Sequence, residues 1–171
     1  MILYPNADFK KVSEITVDFL NKNNIKALIL DVDNTLIDYY SNLSEETITW
    51  AQKLKNNNIK LYILSNSNKR NKVEKIAKKL EIPYKYFAKK PLKSGFLKVQ
   101  KELKEKNENI ATVGDQLFTD VIGGNRCKMF TILVEPINKK DIWITMWKRP
   151  IEKFIIKKYK QAKTKGEKDV F

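Results

Sequence analysis

The 171-residue chain has no histidine and one cysteine, Cys127. Without histidine there is no Ser-His or Cys-His nucleophile pair and no HExxH zinc site. A lone cysteine cannot form an internal disulfide, so a cytoplasmic chain is the expectation, and a structural zinc site lacks its ligands. Metal chemistry would rest on oxygen donors, which points to magnesium, manganese or calcium. No apolar run approaches the ~18 residues that a membrane span needs. The start, MILYPNADFKK, lacks the layout of a signal peptide. Glycine and proline, five of each, gather into no linker, and there is no internal repeat.

Positive charge is what the chain has in excess. Thirty-four Lys and Arg face 20 Asp and Glu, a formal charge of +14, which suggests an anionic partner: nucleic acid, anionic lipid or a phosphorylated substrate. Residues 148–168 concentrate it, with nine basic residues against two glutamates.

Two kinds of segment alternate along the chain. Lys26–Asp31, Lys60–Ser65, Ile110–Gly114 and Thr131–Val134 read as strands, with a weaker one near Tyr84–Phe87. Helical spacing fills the gaps. Ser44 is the expected cap of one helix, Asn68 or Lys69 opens a second with Val73, Ile76, Ala77 and Leu80 on one stripe, and Ser94 precedes a third. This alternation predicts an α/β chain with a central parallel sheet, and the unbroken ALIL and LYIL runs suit strands buried on both faces. Ligands of such sheets bind beyond the carboxyl ends of the strands. Asp31 and Asp33, Ser65, and Asp115 all fall at that edge.

The stretch DVDNTLID places carboxylates there in a basic chain. An EF-hand would need Gly and Glu where Leu36 and Asn42 stand, so that reading fails. A DxD sugar transferase remains open, but leaves Ser65 and Lys90 without work. Phosphoryl transfer uses every group. Residues two apart on an extended strand point the same way, so Asp31 could attack phosphorus while Asp33 handles protons. Two such carboxylates and a phosphate repel, which calls for a cation held by Asp31, Asp115 and the backbone carbonyl of Asp33. Ser65 would donate to a phosphoryl oxygen, and Lys90, fixed in direction by Pro91, would supply positive charge.

DVDNTL, ILSNS, KKP and GDQLFTDVIGGN, in that order, resemble the four motifs of the haloacid dehalogenase (HAD) superfamily of phosphatases. Together with TILVEPI they resemble subfamily IIIA and its YqeG family, similar to the mitochondrial phosphatidylglycerophosphate (PGP) phosphatase. The resemblance implies a three-layer Rossmann-like HAD fold and Mg²⁺ as cofactor. It also implies Asp31 as nucleophile, Asp33 as general acid/base, and Ser65, Asn66 and Lys90 as phosphate-binding. Asp31, Asp33 and Asp115 would hold the metal, with Thr35 and Asp120 supporting them, Asp120 by orienting Lys90 or a metal-bound water. Lys89 competes with Lys90 for the lysine role. Lys128 departs from the pattern, because relatives often carry glycine there.

Asp31 and Ser65 are 34 positions apart, and Ser65 and Lys90 are 25 apart. Each gap holds one helix and its connections, so a capless, open site is expected, suited to bulky substrates. The expected organisation is a single domain over 1–171, with a core at about 25–137 and a basic amphipathic helical segment at about 142–163. There Trp143, Trp147, Ile151, Phe154 and Ile155 fall opposite Arg149, Lys153, Lys157 and Lys160. That segment either meets an anionic membrane from the cytoplasmic side or packs on the domain. The function read from all this is hydrolysis of a phosphomonoester, with PGP at a membrane surface as the substrate. Another bulky or soluble phosphate ester, or an RNA- or ribosome-binding role, stays open.

Overall fold

The computed structural model describes residues 2–138, 154–159 and 161. Its centre is the ALIL run, strand β2 (Ala27–Leu30), buried at every position. Alternate residues serve opposite faces, as a pleated strand requires. Leu28 and Leu30 join one apolar cluster, and Ala27 and Ile29 join another. The other strands are β1 (Ala7–Phe9), β3 (Lys60–Leu64), β4 (Tyr84–Lys85), β5 (Ile110–Gly114) and β6 (Phe130–Val134). All pair in parallel, in the order β1-β6-β5-β2-β3-β4, so β2 lies between β3 and β5.

The helices are α1 (Val17–Lys22), α2 (Glu45–Asn56), α3 (Arg70–Leu80), α4 (Lys93–Leu103) and α5 (Ile122–Arg126). Leu20 of α1, Trp50 and Leu54 of α2, and Val73, Ile76 and Leu80 of α3 pack on one face of the sheet. Phe96, Val99 and Leu103 of α4, with Cys127 after α5, cover the other. The result is the three-layer, all-parallel α/β arrangement expected from the alternation. Ser44 caps α2 by accepting from the Thr47 N–H at 3.1 Å. Lys69, one of the two residues expected to open the next helix, is the cap of α3, while α4 begins at Lys93 with Ser94 already inside it.

β1 and α1 lie before the expected core. β1 is three residues long and gains its place only by pairing with β6 at the sheet edge. Lys128, the departure from the motif pattern, holds φ 57° in the turn before β6, a left-handed conformation that glycine adopts freely. Most of the expected C-terminal segment, including Trp143, Trp147 and Ile151, lies outside the described residues. Residues 154–158 of it are helical, with Tyr159. Ile155 and Ile156 pack on Leu117, Val121 and Leu133, and Tyr159 is buried against Tyr4, while Phe154 stays exposed. This stretch therefore rests on the sheet's β6 side. Among the described residues no helix is long and apolar enough to cross a membrane.

Candidate active site

The parallel strands deliver their carboxyl ends to one edge, and the expected residues gather there from four segments. Asp31 follows β2 directly and is fixed by its N–H donating to Val113 O of β5 at 2.9 Å. Lys90 arrives from the loop after β4, across a cis Lys90–Pro91 bond. Its Nζ lies 2.6 Å from Asp31 Oδ1 and 2.6 Å from Asp120 Oδ1, with all three side chains at most 7% exposed. Lys89, the competitor, is exposed and lies over the Phe87 ring. The sequence neighbour of a proline is the buried one.

Asp120 reaches Lys90 because of Gly114. A Cβ on Gly114 would fall 2.2 Å from Asp120 Oδ2, so the glycine that ends β5 leaves the volume this carboxylate fills. Thr119 Oγ1 donates to the same oxygen at 3.2 Å. Asp115 completes an acidic cluster in which Asp31, Asp115 and Asp120 bring carboxylate oxygens within 4.8 Å of one another. Thr35 donates its hydroxyl to Asp115 at 3.3 Å, tying the first motif to the fourth.

Two buried carboxylates, Asp31 and Asp120, and the half-buried Asp115 against one ammonium leave a surplus of negative charge. Burial, opposed by Lys90 and reinforced by Asp120, pushes the Asp31 carboxyl up to about 6. Burial, then Asp31 and Asp120, push Asp115 well above the ordinary range. For Lys90, burial opposes the charge, but Asp120 and Asp31 outweigh it and hold its pKa above the usual lysine value. All-oxygen donors with unbalanced negative charge fit a hard divalent cation. Asp33 does not share its carboxylate with this cluster; its side chain turns outward to an ion pair with Lys72.

The loop after β3 supplies the remaining expected groups. Ser65 is buried, and its hydroxyl oxygen accepts from the Ser67 N–H at 3.1 Å, which leaves its O–H to donate. Asn66 turns its side chain to the Lys90 backbone: Oδ1 accepts from Lys90 N at 2.6 Å and Nδ2 donates to Lys90 O at 3.0 Å. Its side-chain oxygen is thus engaged in holding Lys90.

Lys72, one turn into α3, was not among the expected residues. The sequence marks it only by its place before Val73 on the helix that opens at the site. Its direction comes from how α3 docks.

A family model described as mitochondrial PGP phosphatase matches residues 1–138. The probable phosphatase YqeG of Bacillus subtilis (strain 168) is 37% identical over 158 residues, covering 92% of this chain and 91% of that protein. An uncharacterized protein from Listeria monocytogenes serotype 4b shares the fold, at TM-score 0.54 and 16% identity, over 72% of this chain and 97% of that one. A putative HAD superfamily (subfamily III A) hydrolase from Legionella pneumophila is 25% identical at TM-score 0.45, over 56% of this chain and 58% of that one. With four motifs meeting at one sheet edge, this chain belongs to the mitochondrial PGP phosphatase family, among the phosphatases of the HAD superfamily.

Proposed function

We propose that the protein is a Mg²⁺-dependent phosphomonoester hydrolase that works through an aspartyl-phosphate on Asp31, with PGP as substrate, and that the whole chain acts as one domain. The observation that carries this reading is Lys90 fixed between Asp31 and Asp120 beside a third carboxylate. The arrangement suits a site that must hold a phosphoryl group against its own nucleophile.

Asp31 Oδ attacks phosphorus, forming a P–O bond as the bond to the leaving alkoxide breaks. The Asp33 carboxyl gives that alkoxide its proton and becomes a carboxylate. It then takes a proton from a water that attacks phosphorus, expelling the Asp31 carboxylate and releasing inorganic phosphate. Lys90 and Ser65 bind the phosphoryl oxygens, Asn66 holds Lys90 in place, and Asp120 orients it from the other side. Asp31, Asp115 and the Asp33 backbone carbonyl would hold the cation, which would supply charge neutralisation at the phosphoryl group. The Asp33 side chain lies outside the acidic cluster, where its half-exposed pairing with Lys72 positions it for proton transfer.

The substrate assignment draws on the family's printed description and on an approach to the site that no inserted domain covers among the described residues. It is tested by phosphate release from PGP in mixed micelles, with EDTA and Asp31→Asn as controls and a soluble aryl phosphate alongside. Release that is faster on PGP and vanishes in both controls is the expected outcome. Turnover of the soluble ester alone would remove the lipid from the reading and keep the phosphatase.

A further inference from the structure

Exposed apolar side chains are not spread evenly over the surface. Nine large ones are exposed among the described residues, and six of them stand on the three loops that surround the site: Tyr39, Tyr40, Tyr86, Phe87, Leu92 and Ile137. Each loop is tied by backbone bonds to a motif. Tyr39 and Tyr40 tip a short flap in which Ile37 pairs with Leu43, and Asn34 N–H donates to Ile37 O. Phe87 N–H donates to Ser67 O, and Ile137 N–H donates to Asn34 O. The apolar rim and the catalytic edge are therefore parts of one framework.

The exposure is held in place. Phe87 is 56% exposed at φ 50°, a left-handed conformation unfavourable for a bulky residue, and is kept there by loop hydrogen bonds. Tyr40 is 78% exposed, and its ring meets that of Tyr39 edge-on at 5.4 Å. Beside the Phe87 loop lie Lys69, Lys89, Lys93 and Lys98, none of which has a carboxylate partner among the described residues. Lys89 and Lys98 line, with Tyr86 and Phe87, a recess of about 490 Å³ next to Lys90's loop.

We infer that this rim is a docking face for an anionic lipid surface, and that the active site opens directly onto the bilayer. Aromatic and aliphatic tips flanked by lysines that have no carboxylate partner among the described residues match the interfacial region of an anionic membrane. A second copy of this +14 chain would bring uncompensated lysines against lysines. Bases could stack on the four aromatic tips, but the aliphatic Leu92 and Ile137 in the same rim suit acyl chains and offer a base no stacking surface. The inference rests on the lipid-phosphate reading above, since it places a membrane-anchored phosphomonoester where Asp31 stands.

The test is sedimentation with vesicles that contain no substrate. One set is equimolar phosphatidylglycerol and phosphatidylcholine, and the other is phosphatidylcholine alone. The full chain should sediment with the anionic set, less so as salt rises. The triple variant Y39S/Y40S/F87S, verified as folded by thermal melting, should lose about tenfold or more of that partitioning and keep turnover of a soluble aryl phosphate. Wild-type protein that ignores anionic vesicles, or a triple variant that partitions undiminished, would overturn the inference. So would a variant that loses binding to single-stranded RNA while keeping its binding to vesicles. PGP in detergent micelles tests the substrate separately: turnover there with no vesicle binding sinks the docking face alone, and vesicle binding with no turnover sinks the substrate alone.

Discussion

Two lysines hold the two aspartates of one short motif, and the pairs are made differently. Lys90 and Asp31 are 3% and 7% exposed, whereas Lys72 and Asp33 are 26% and 41% exposed. The two aspartates are two residues apart. The first sits under the sheet edge, and the second has passed beyond it. A buried pair cannot open without stranding a charge, while a half-exposed one exchanges partners with water at little cost. The difference matches what each is proposed to do: the nucleophile stays fixed and the proton carrier stays accessible.

Removing Lys90 should give the largest effect. Lys90→Met leaves Asp31, Asp115 and Asp120 facing one another without a cation, so metal-free protein should lose about 3–5 kcal/mol in denaturant unfolding. Its turnover should fall to background. A loss near zero would mean the buried pair is no stronger than a surface one.

Asp31→Asn should act oppositely on the two readouts. Turnover falls by about 10³-fold or more, because the nucleophile is gone. Metal-free stability rises. The folded carboxyl ionises near 6, above the ordinary 3.8, so the folded state binds the proton more tightly than the unfolded chain. Stability that this group contributes is complete below about 4 and lost as pH rises through about 6. At neutral pH a neutral amide therefore relieves a cost, and the melting temperature should rise by about 2–4 °C per kcal/mol regained. Wild-type melting that did not fall over that window would remove the electrostatic account.

Lys72→Ala is the smallest change. Its pair is half-exposed, so unfolding should shift by no more than about 1 kcal/mol, while kcat falls about tenfold as Asp33 loses its positioning partner. A variant as unstable as Lys90→Met would collapse the contrast between the pairs.

The sheet was legible because parallel strands buried on both faces leave continuous apolar runs, and ALIL and LYIL are such runs. The positions of Asp31, Ser65 and Asp115 at one edge follow from that alone, since strand ends converge by topology. Other features depend on packing that no local pattern records. β1 has three residues and is a strand only because β6 offers it an edge. Lys72 reads as one lysine among many on α3 until the helix docks. Gly114 reads only as the last residue of a strand, yet its missing side chain is the space that Asp120 occupies. Ile155 and Ile156 belonged to a segment with two possible partners, and they rest on Leu117, Val121 and Leu133.

The amide of Asn66 bonds both the N–H and the C=O of Lys90, at 2.6 and 3.0 Å. In mechanical terms it rivets two loops from neighbouring strands into one stiff lip. Thermal motion must then carry the serine hydroxyl and the lysine ammonium together, with their spacing preserved. If Ser65 and Lys90 bind phosphate as proposed, an arriving phosphate would meet a finished template, and capture would be paced by encounter instead of rearrangement.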